Sequence, residues 1–329
     1  MGWTLRANQL RSFLMALYPP IEPHDSGLLE VGDENSIYWE ICGNPRGKPA
    51  VVVHGGPGSG AGAGSRRLFD PEHYRVVAFD QRGCGRSRPH ASDPTTDMGV
   101  NTTHHLIADM ERLREHLGIA RWLLLGGSWG ATLILGYAER YPNRVSAVVL
   151  AGVTMTRPSE IDWLYRGVSR FLPEQWERFR AVANSDDVVG AYARLMEDPD
   201  PKVRQRAAAE WVAWEDAVIA HELNGTPGAY SALPDDARLA FVRICTHYFA
   251  HNAWLEDGEL LRDAHRLRGI PGVLIHGRLD LCSPLRTAWE LRQAWASATL
   301  VVVDDAGHTG SDMTRAEVLA ATERFKRHS

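Results

Sequence analysis

Short apolar runs alternate with amphipathic stretches along the first half of the chain. The candidate strands are the runs at residues 36–42, 50–54, 74–79, 121–125 and 145–151. Most contain β-branched residues, and several are bounded by Gly or Pro, which is typical of buried parallel strands. Between them, residues 104–117 and 131–140 carry apolar positions at helical spacing. This alternation predicts an α/β fold with a mostly parallel sheet and helices on its faces.

The pattern changes at about residue 157 and returns at about residue 265. Between these points the strand-like runs stop and helical periodicity dominates. Prolines at positions 173, 199, 201, 227 and 234 divide the segment into short helices. Strand signals resume at residues 272–276 and 299–303. We therefore expect one α/β domain, formed by residues 1–156 and 266–329, that is interrupted by an all-helical domain of residues 157–265.

Composition and charge narrow the classes of protein that fit this pattern. The 329 residues carry a net charge of −5, which argues against nucleic acid or an anionic membrane as partner. No apolar run approaches the roughly 20 residues of a membrane-spanning helix, and residues 1–17 lack a signal-type apolar block. No CxxC pair is present, so a zinc ribbon is not predicted. These features favour a cytoplasmic protein with reduced cysteines, which are Cys42, Cys84, Cys245 and Cys282.

A candidate nucleophile follows the run at residues 121–125. Gly126-Gly-Ser128-Trp-Gly130 has the form G-x-S-x-G between a predicted strand and a predicted helix, as in a strand–turn–helix nucleophile motif. Glycine two positions to either side leaves room for a sharp turn that exposes the serine hydroxyl. The following helix directs its free N–H groups and dipole at developing negative charge. The alternative is a glycine-rich turn that happens to contain serine.

The loop after the predicted strand at residues 50–54 is the candidate second half of an oxyanion hole. It reads His54-Gly-Gly-Pro-Gly58, and glycine allows the backbone to approach a substrate carbonyl closely. The N–H of Gly56, or of Gly55, is expected to act with that of Trp129. A dinucleotide-binding loop is the alternative, but no G-x-G-x-x-G can be drawn through residues 58–64.

The acid and base of a triad are expected downstream of Ser128, in the order acid and then histidine. Asp280 follows the predicted strand at residues 272–276, and His308 lies in the loop after the last predicted strand. Asp280 would orient the imidazole while His308 takes the serine proton. Such chemistry needs no metal or organic cofactor. Competing acids are Asp304 and Asp305, and competing histidines are His104, His105, His247 and His251. His247 and His251 have the i, i+4 spacing of a metal site but no obvious third ligand.

With these residues in view, the chain resembles the proline iminopeptidases (prolyl aminopeptidases) of the α/β-hydrolase serine peptidases. The resemblance implies an α/β-hydrolase fold in which Ser128, Asp280 and His308 are catalytic and the helical insertion is a cap over the active site. The motifs that carry it include residues 17–23 (Leu-Tyr-Pro-Pro-Ile-Glu-Pro), 54–58, 80–87 (Asp-Gln-Arg-Gly-Cys-Gly-Arg-Ser), 126–130, 277–280 (Gly-Arg-Leu-Asp) and 307–308 (Gly-His).

The family holds the ammonium group of a substrate's N-terminal residue with carboxylates of the cap. One of these matches Glu215, which falls on one helical stripe with Trp211, Trp214 and Val218. A carboxylate among aromatic residues is costly unless a cation meets it, either the substrate's ammonium or a protein arginine. The second family carboxylate lies in Arg-Ile-Glu-Asn-His-Tyr-Phe, and this chain has Cys245 at the Glu position. A neutral thiol forms no ion pair with an ammonium.

The resemblance and this departure together lead to a functional hypothesis. The chain is expected to be a serine hydrolase that releases one N-terminal residue from a small peptide or aminoacyl amide, with a residue preference, such as alanyl, that differs from proline. Deprotection of an aminoacylated natural-product amine, as in antibiotic biosynthesis, is the specific form we favour. An esterase or another hydrolase on the same fold, or a catalytically silent binding protein, are the alternatives.

Overall fold

The computed structural model describes residues 17–225 and 227–327 of the chain. The prediction that residues 1–17 lack a signal peptide concerns a segment of which residues 1–16 lie outside the described residues. No described helix is both long and apolar enough to span a bilayer.

The strands are β1 (Asp25–Gly32), β2 (Asn35–Gly43), β3 (Lys48–Val53), β4 (Tyr74–Phe79), β5 (Trp122–Ser128), β6 (Val145–Val153), β7 (Gly272–Gly277) and β8 (Ala298–Val303). The α-helices are α1 (Thr103–His116), α2 (Trp129–Arg140), α3 (Pro158–Tyr165), α4 (Pro173–Ala183), α5 (Val188–Met196), α6 (Pro201–His221), α7 (Asp235–Ala250), α8 (Glu259–Asp263), α9 (Arg286–Ala294) and α10 (Asp312–Phe325).

The eight strands form one sheet in the order β1-β2-β4-β3-β5-β6-β7-β8. From β4 to β8 all neighbours pair in parallel, whereas β2 pairs antiparallel with both β1 and β4. This confirms the predicted α/β class and all seven predicted strands. The additional strand, β1, has no continuous apolar run because most of its residues are exposed or half-buried at the sheet edge.

The helical segment between β6 and β7 contains α3 to α8 and builds much of its own apolar core. Trp211, Trp214 and Phe179 are buried in this core, where the rings of Phe179 and Trp214 stack at 5.4 Å between centroids. Two further apolar clusters contain sheet residues from alternate positions of the strands, as expected for a parallel sheet that is covered on both faces. The division into two domains at residues 157 and 265 stays a prediction.

The carboxyl ends of the parallel strands bring the predicted site residues to one edge of the sheet. β3 leads into the loop of residues 54–58, β5 ends at Ser128, β7 leads to Asp280, and β8 leads to His308. In open α/β sheets, ligands bind outside these strand ends. The helical segment between β6 and β7 contributes Glu215 and Glu222 to the same region.

A buried carboxyl near the end of α2 makes a prediction about stability. Glu139 is 6% exposed, its Oε1 has no hydrogen-bond partner among the described residues, and burial together with nearby Asp263 and Glu259 raises its pKa to about 9. Between pH 4.5 and 9 the folded chain therefore holds a proton here that the unfolded chain has lost, and the free energy of unfolding falls as pH rises.

We expect Glu139→Gln to remove this dependence. Relative to the unmodified chain, the variant should gain stability as pH increases from 5 to 8.5, by at most about 1.4 kcal/mol per pH unit for one proton. Urea unfolding midpoints at several pH values measure the difference. Glu177→Gln, at a side chain that is 70% exposed, serves as the control and should leave the dependence unchanged. A Glu139→Gln protein with an unaltered pH dependence would contradict the prediction.

Candidate active site

Ser128 lies at a strained turn between β5 and α2. Its backbone has φ 53° and ψ −131°, outside the regions that non-glycine residues usually adopt. A Cβ at Gly126 would lie 2.7 Å from the Val53 carbonyl oxygen, and one at Gly130 would lie 2.4 Å from it. Both flanking glycines are therefore required by the close approach of β3, as the motif predicts.

Asp280 and His308 form a hydrogen-bonded pair at the same edge of the sheet. His308 Nδ1 lies 2.9 Å from Asp280 Oδ2, and the Ser283 N–H donates to Asp280 Oδ1 at 2.7 Å. A second histidine, His276, also lies beside Asp280, with Nε2 3.5 Å from Oδ2. Its Nδ1 accepts from the Val153 N–H while its Nε2 faces the Ser283 carbonyl, so it is a neutral imidazole with its proton on Nε2. His276 was not singled out from the sequence.

Three carboxylates determine the charge state of His308. Burial alone would lower its pKa, but the charge and hydrogen bond of Asp280, followed by the charges of Glu222 and Glu215, outweigh burial and raise the pKa to about 9. The same imidazole and Ser128 line one cavity. The arrangement can stabilise an imidazolium that forms when a serine proton is transferred.

A hydrogen-bond network fixes the loop of residues 54–58 next to the start of α2. Gln81 donates its backbone N–H to His54 Nε2 at 3.0 Å and its side-chain amide to the His54 carbonyl at 2.9 Å. Its Oε1 accepts from Trp129 Nε1 at 2.9 Å. Gly56 has φ 111° and lines the cavity together with Trp129, so the two predicted oxyanion donors lie on its wall. Gln81 was not singled out from the sequence, although it lies in the motif of residues 80–87.

Glu215 of α6 lies in the same cavity wall as Ser128 and His308. The side chain is almost fully buried, and its Oε1 accepts hydrogen bonds from the Tyr165 hydroxyl at 2.6 Å and from Trp211 Nε1 at 2.8 Å. No donor among the described residues contacts Oε2, and no arginine among them pairs with this carboxylate. Burial raises the pKa of Glu215 to about 7. The carboxylate therefore has one oxygen free for a cation in the cavity.

Cys245 of α7 lies behind the cavity wall. It is fully buried, its thiol donates to the Pro57 carbonyl at 3.3 Å, and it is not one of the described residues that line the cavity. The short side chain is directed at the loop of residues 54–58, and a substrate-binding role for this position stays a prediction. Its neighbourhood still includes Glu215, whose charge adds to burial in raising the pKa of the Cys245 thiol.

The competing candidates have other partners. His247 Nε2 lies 3.2 Å from the Asn101 carbonyl oxygen, and burial lowers the pKa of His247 to about 4. Asp304 pairs with Arg278 at the surface. Among the described residues, the group whose ligand atoms lie close enough together for a metal ion is Asp280, Cys282 and His308, with all three atoms within 4.8 Å of one another.

Glu222 is a third residue of this region, after His276 and Gln81, that sequence analysis missed. It caps the carboxyl end of α6, is 6% exposed, and accepts hydrogen bonds from the backbone N–H groups of Leu281 and His308 at 2.7 and 2.6 Å. No motif marks it. A carboxylate near the end of a helix reads in sequence as an ordinary surface residue, and the two loops that it joins come some 60 and 90 residues later.

Comparison with known proteins places the chain in a family. Residues 48–312 match the alpha/beta hydrolase fold family. A probable proline iminopeptidase of Streptomyces coelicolor is 50% identical over 322 residues, which are 95% of this chain and 98% of that protein. The proline iminopeptidase of Arabidopsis thaliana is 40% identical over 98% of this chain and 86% of its own length. Among solved structures, a proline iminopeptidase of Mycobacterium smegmatis superposes with a TM-score of 0.60 at 20% identity, covering 92% of this chain and 99% of that one.

The class defined by the fold and the family match is that of the α/β hydrolases. Within this class, the chain belongs to the proline iminopeptidase family of serine peptidases. It is thus an enzyme, a hydrolase of the serine aminopeptidase type. The resemblance inferred from the sequence motifs is confirmed.

Proposed function

We propose that the chain removes a single N-terminal residue from a small peptide or aminoacyl amide, with Ser128, His308 and Asp280 as its catalytic triad. His308 takes the proton of the Ser128 hydroxyl as this attacks the carbonyl carbon of the N-terminal residue. The N–H groups of Gly56 and Trp129 stabilise the resulting oxyanion. His308 then protonates the leaving amine, and a water molecule, activated by the same imidazole, releases the amino acid from Ser128.

The free Oε2 of Glu215 is the observation that carries the substrate class. A buried carboxylate with an unpartnered oxygen, in the cavity that Ser128 also lines, is stabilised by a cation placed there. The α-ammonium of an N-terminal residue supplies that cation. It lies in the same residue as the carbonyl that Ser128 attacks, so one residue can meet both side chains. Tyr165 and Trp211 hold the other oxygen in place, so the carboxylate is oriented before substrate binds.

The residue at position 245 supports a preference that differs from proline. The proline iminopeptidases that the chain resembles have a second carboxylate at this position, whereas Cys245 contributes none. One charge-assisted contact to the ammonium group of an N-terminal proline is therefore missing. The substrate we favour is an alanyl amide of a natural-product amine, as in deprotection during antibiotic biosynthesis. The chain is expected to act in the cytoplasm and without a metal or organic cofactor.

Parallel assays of prolyl and alanyl β-naphthylamide test this preference. We expect kcat/KM for the alanyl substrate to equal or exceed that for the prolyl substrate, and Cys245→Glu to shift the ratio toward proline by about tenfold, the value of one charged hydrogen bond. Cys245→Gln, which has the same length without the charge, is the control and should not produce the shift. A strong proline preference in the unmodified enzyme would refute the altered specificity while leaving the triad assignment intact.

A further inference from the structure

The carboxylate of Glu222 connects the helical segment between β6 and β7 to both loops that carry the catalytic pair. Oε1 accepts from the Leu281 N–H, one residue after Asp280, and Oε2 accepts from the N–H of His308 itself. Both bonds are short and lie in a buried environment, where a charged acceptor strengthens each of them. One side chain therefore fixes the relative position of two loops that follow different strands.

The surrounding backbone is built around this contact. A Cβ at Gly307 would lie 2.2 Å from Glu222 Oε2, so the residue before His308 has to be glycine for the carboxylate to reach the backbone. Two residues after Glu222, the Asn224 side-chain amide donates to the Asp305 carbonyl at 2.8 Å. The chain that follows α6 is thus attached to the loop after β8 at two points.

Helix α6 also carries Glu215, seven residues before Glu222. Seven residues are close to two helical turns, so both carboxylates project toward the same side, about 10 Å apart along the axis. Their contacts agree with this, because Glu215 lines the cavity beside His308 and Glu222 bonds to the His308 backbone.

We infer that Glu222 is a positioning residue, which holds the Asp280–His308 pair in register with Ser128 and with Glu215, the proposed amine-binding carboxylate. The inference deepens the proposed function and rests on it for the role of Glu215. Glu222 does not touch the reacting atoms. It acts by holding the backbone of the base and of the residue that follows the acid, and its charge faces the His308 imidazole together with Asp280 and Glu215, with the Cys282 thiol and the neutral His276 nearby.

The variant Glu222→Gln tests this role, because it preserves size while replacing one acceptor oxygen by an NH₂ group that faces a backbone N–H. We expect kcat for an aminoacyl naphthylamide and for a neutral acetyl ester to fall together by at least tenfold, with KM changed by less than threefold. Removal of a negative charge beside His308 should also move the acid limb of the kcat/KM profile to lower pH by about half a unit or more. A role confined to folding would not shift this limb.

Glu222→Asp separates geometry from charge. It keeps the carboxylate but shortens the side chain by one methylene, so kcat should fall while the acid limb stays where it is in the unmodified enzyme. Glu177→Gln, at an exposed residue of the same helical segment, should change neither quantity. An unchanged kcat and an unchanged acid limb in Glu222→Gln would overturn the inference, and so would a loss confined to aminoacyl substrates.

The ester assay keeps this test distinct from a failure of the proposed function. If the unmodified enzyme cleaved acetyl esters but no aminoacyl amide, the proposed function would be wrong. The effect of Glu222→Gln on ester turnover and on its acid limb would still decide whether Glu222 positions the catalytic pair.

Discussion

Substitution of Ser128 by alanine is expected to lower kcat/KM for aminoacyl amides by about three orders of magnitude or more. The hydroxyl is the attacking nucleophile in the proposed scheme, and the oxyanion donors and substrate contacts that remain give only a small residual rate. Steady-state assays with alanyl β-naphthylamide measure the loss. Ser26→Ala, at an exposed position of the edge strand β1, is the matched control and should retain full activity.

Covalent labelling provides a second measurement for the same residue. A fluorophosphonate reagent should label the unmodified enzyme and the Ser26→Ala control but not Ser128→Ala, because the reagent reacts with a serine that is activated by a neighbouring base. The strained backbone at Ser128 presents the hydroxyl to the cavity that His308 also lines. Substantial turnover by Ser128→Ala would exclude the acyl-enzyme mechanism. Absence of labelling in the unmodified enzyme would favour a catalytically silent protein.

Replacement of Glu215 by glutamine is expected to lower kcat/KM for aminoacyl amides about 100-fold or more. Loss of one partner of a buried charge pair typically costs several kcal/mol, and here the substrate ammonium would be left without its counter-charge. Turnover of a neutral acetyl ester should stay within about threefold of the unmodified enzyme, since such a substrate has no cation to lose. Parallel assays with the two substrates give the comparison, which also separates an aminopeptidase from an esterase on the same fold.

Two controls support the Glu215 experiment. Glu210→Gln, at a half-buried residue of the same helix that pairs with the exposed Arg178, should leave both activities unchanged. The pH dependence is the second control. Because burial raises the pKa of Glu215 to about 7, KM for the aminoacyl amide should rise below that pH in the unmodified enzyme and not in Glu215→Gln. An equal loss of amide and ester turnover in Glu215→Gln would contradict a role in amine recognition.

The sheet and the loops that carry Ser128, Asp280 and His308 were predictable because their signals are local. Buried parallel strands appear as apolar runs, and the turn at Ser128 requires glycines at fixed positions. The positions of Asp280 and His308 followed from the rule that site residues lie after the carboxyl ends of parallel strands. β1 was not predicted because most residues of this edge strand are exposed or half-buried, so its sequence has no continuous apolar run.

The remaining parts of the site depend on contacts between residues far apart in the chain. Glu222 meets its two partners only after β7 and β8 have taken their places in the sheet, and Gln81 reaches Trp129 across 48 residues. The orientation of the Cys245 thiol toward the Pro57 carbonyl could not be deduced from spacing either, because it depends on how α7 packs against the loop after β3. The sequence shows that position 245 has no carboxylate, whereas the direction of its side chain could be seen only in the structure.

The unbroken course of α6 over residues Pro201–His221 has a consequence for which molecules the enzyme would accept. This helix carries Glu215, the proposed amine-binding carboxylate, and its end meets the loops of the proposed catalytic pair. The helix therefore fixes the span between them, which would not lengthen for a longer substrate. In a peptide with an acetylated or extended amino terminus, the carbonyl next to Ser128 would no longer have an ammonium group at the distance that Glu215 requires. The fixed length of the helix would thus restrict cleavage to the bond after the first residue, whatever the side chain of that residue.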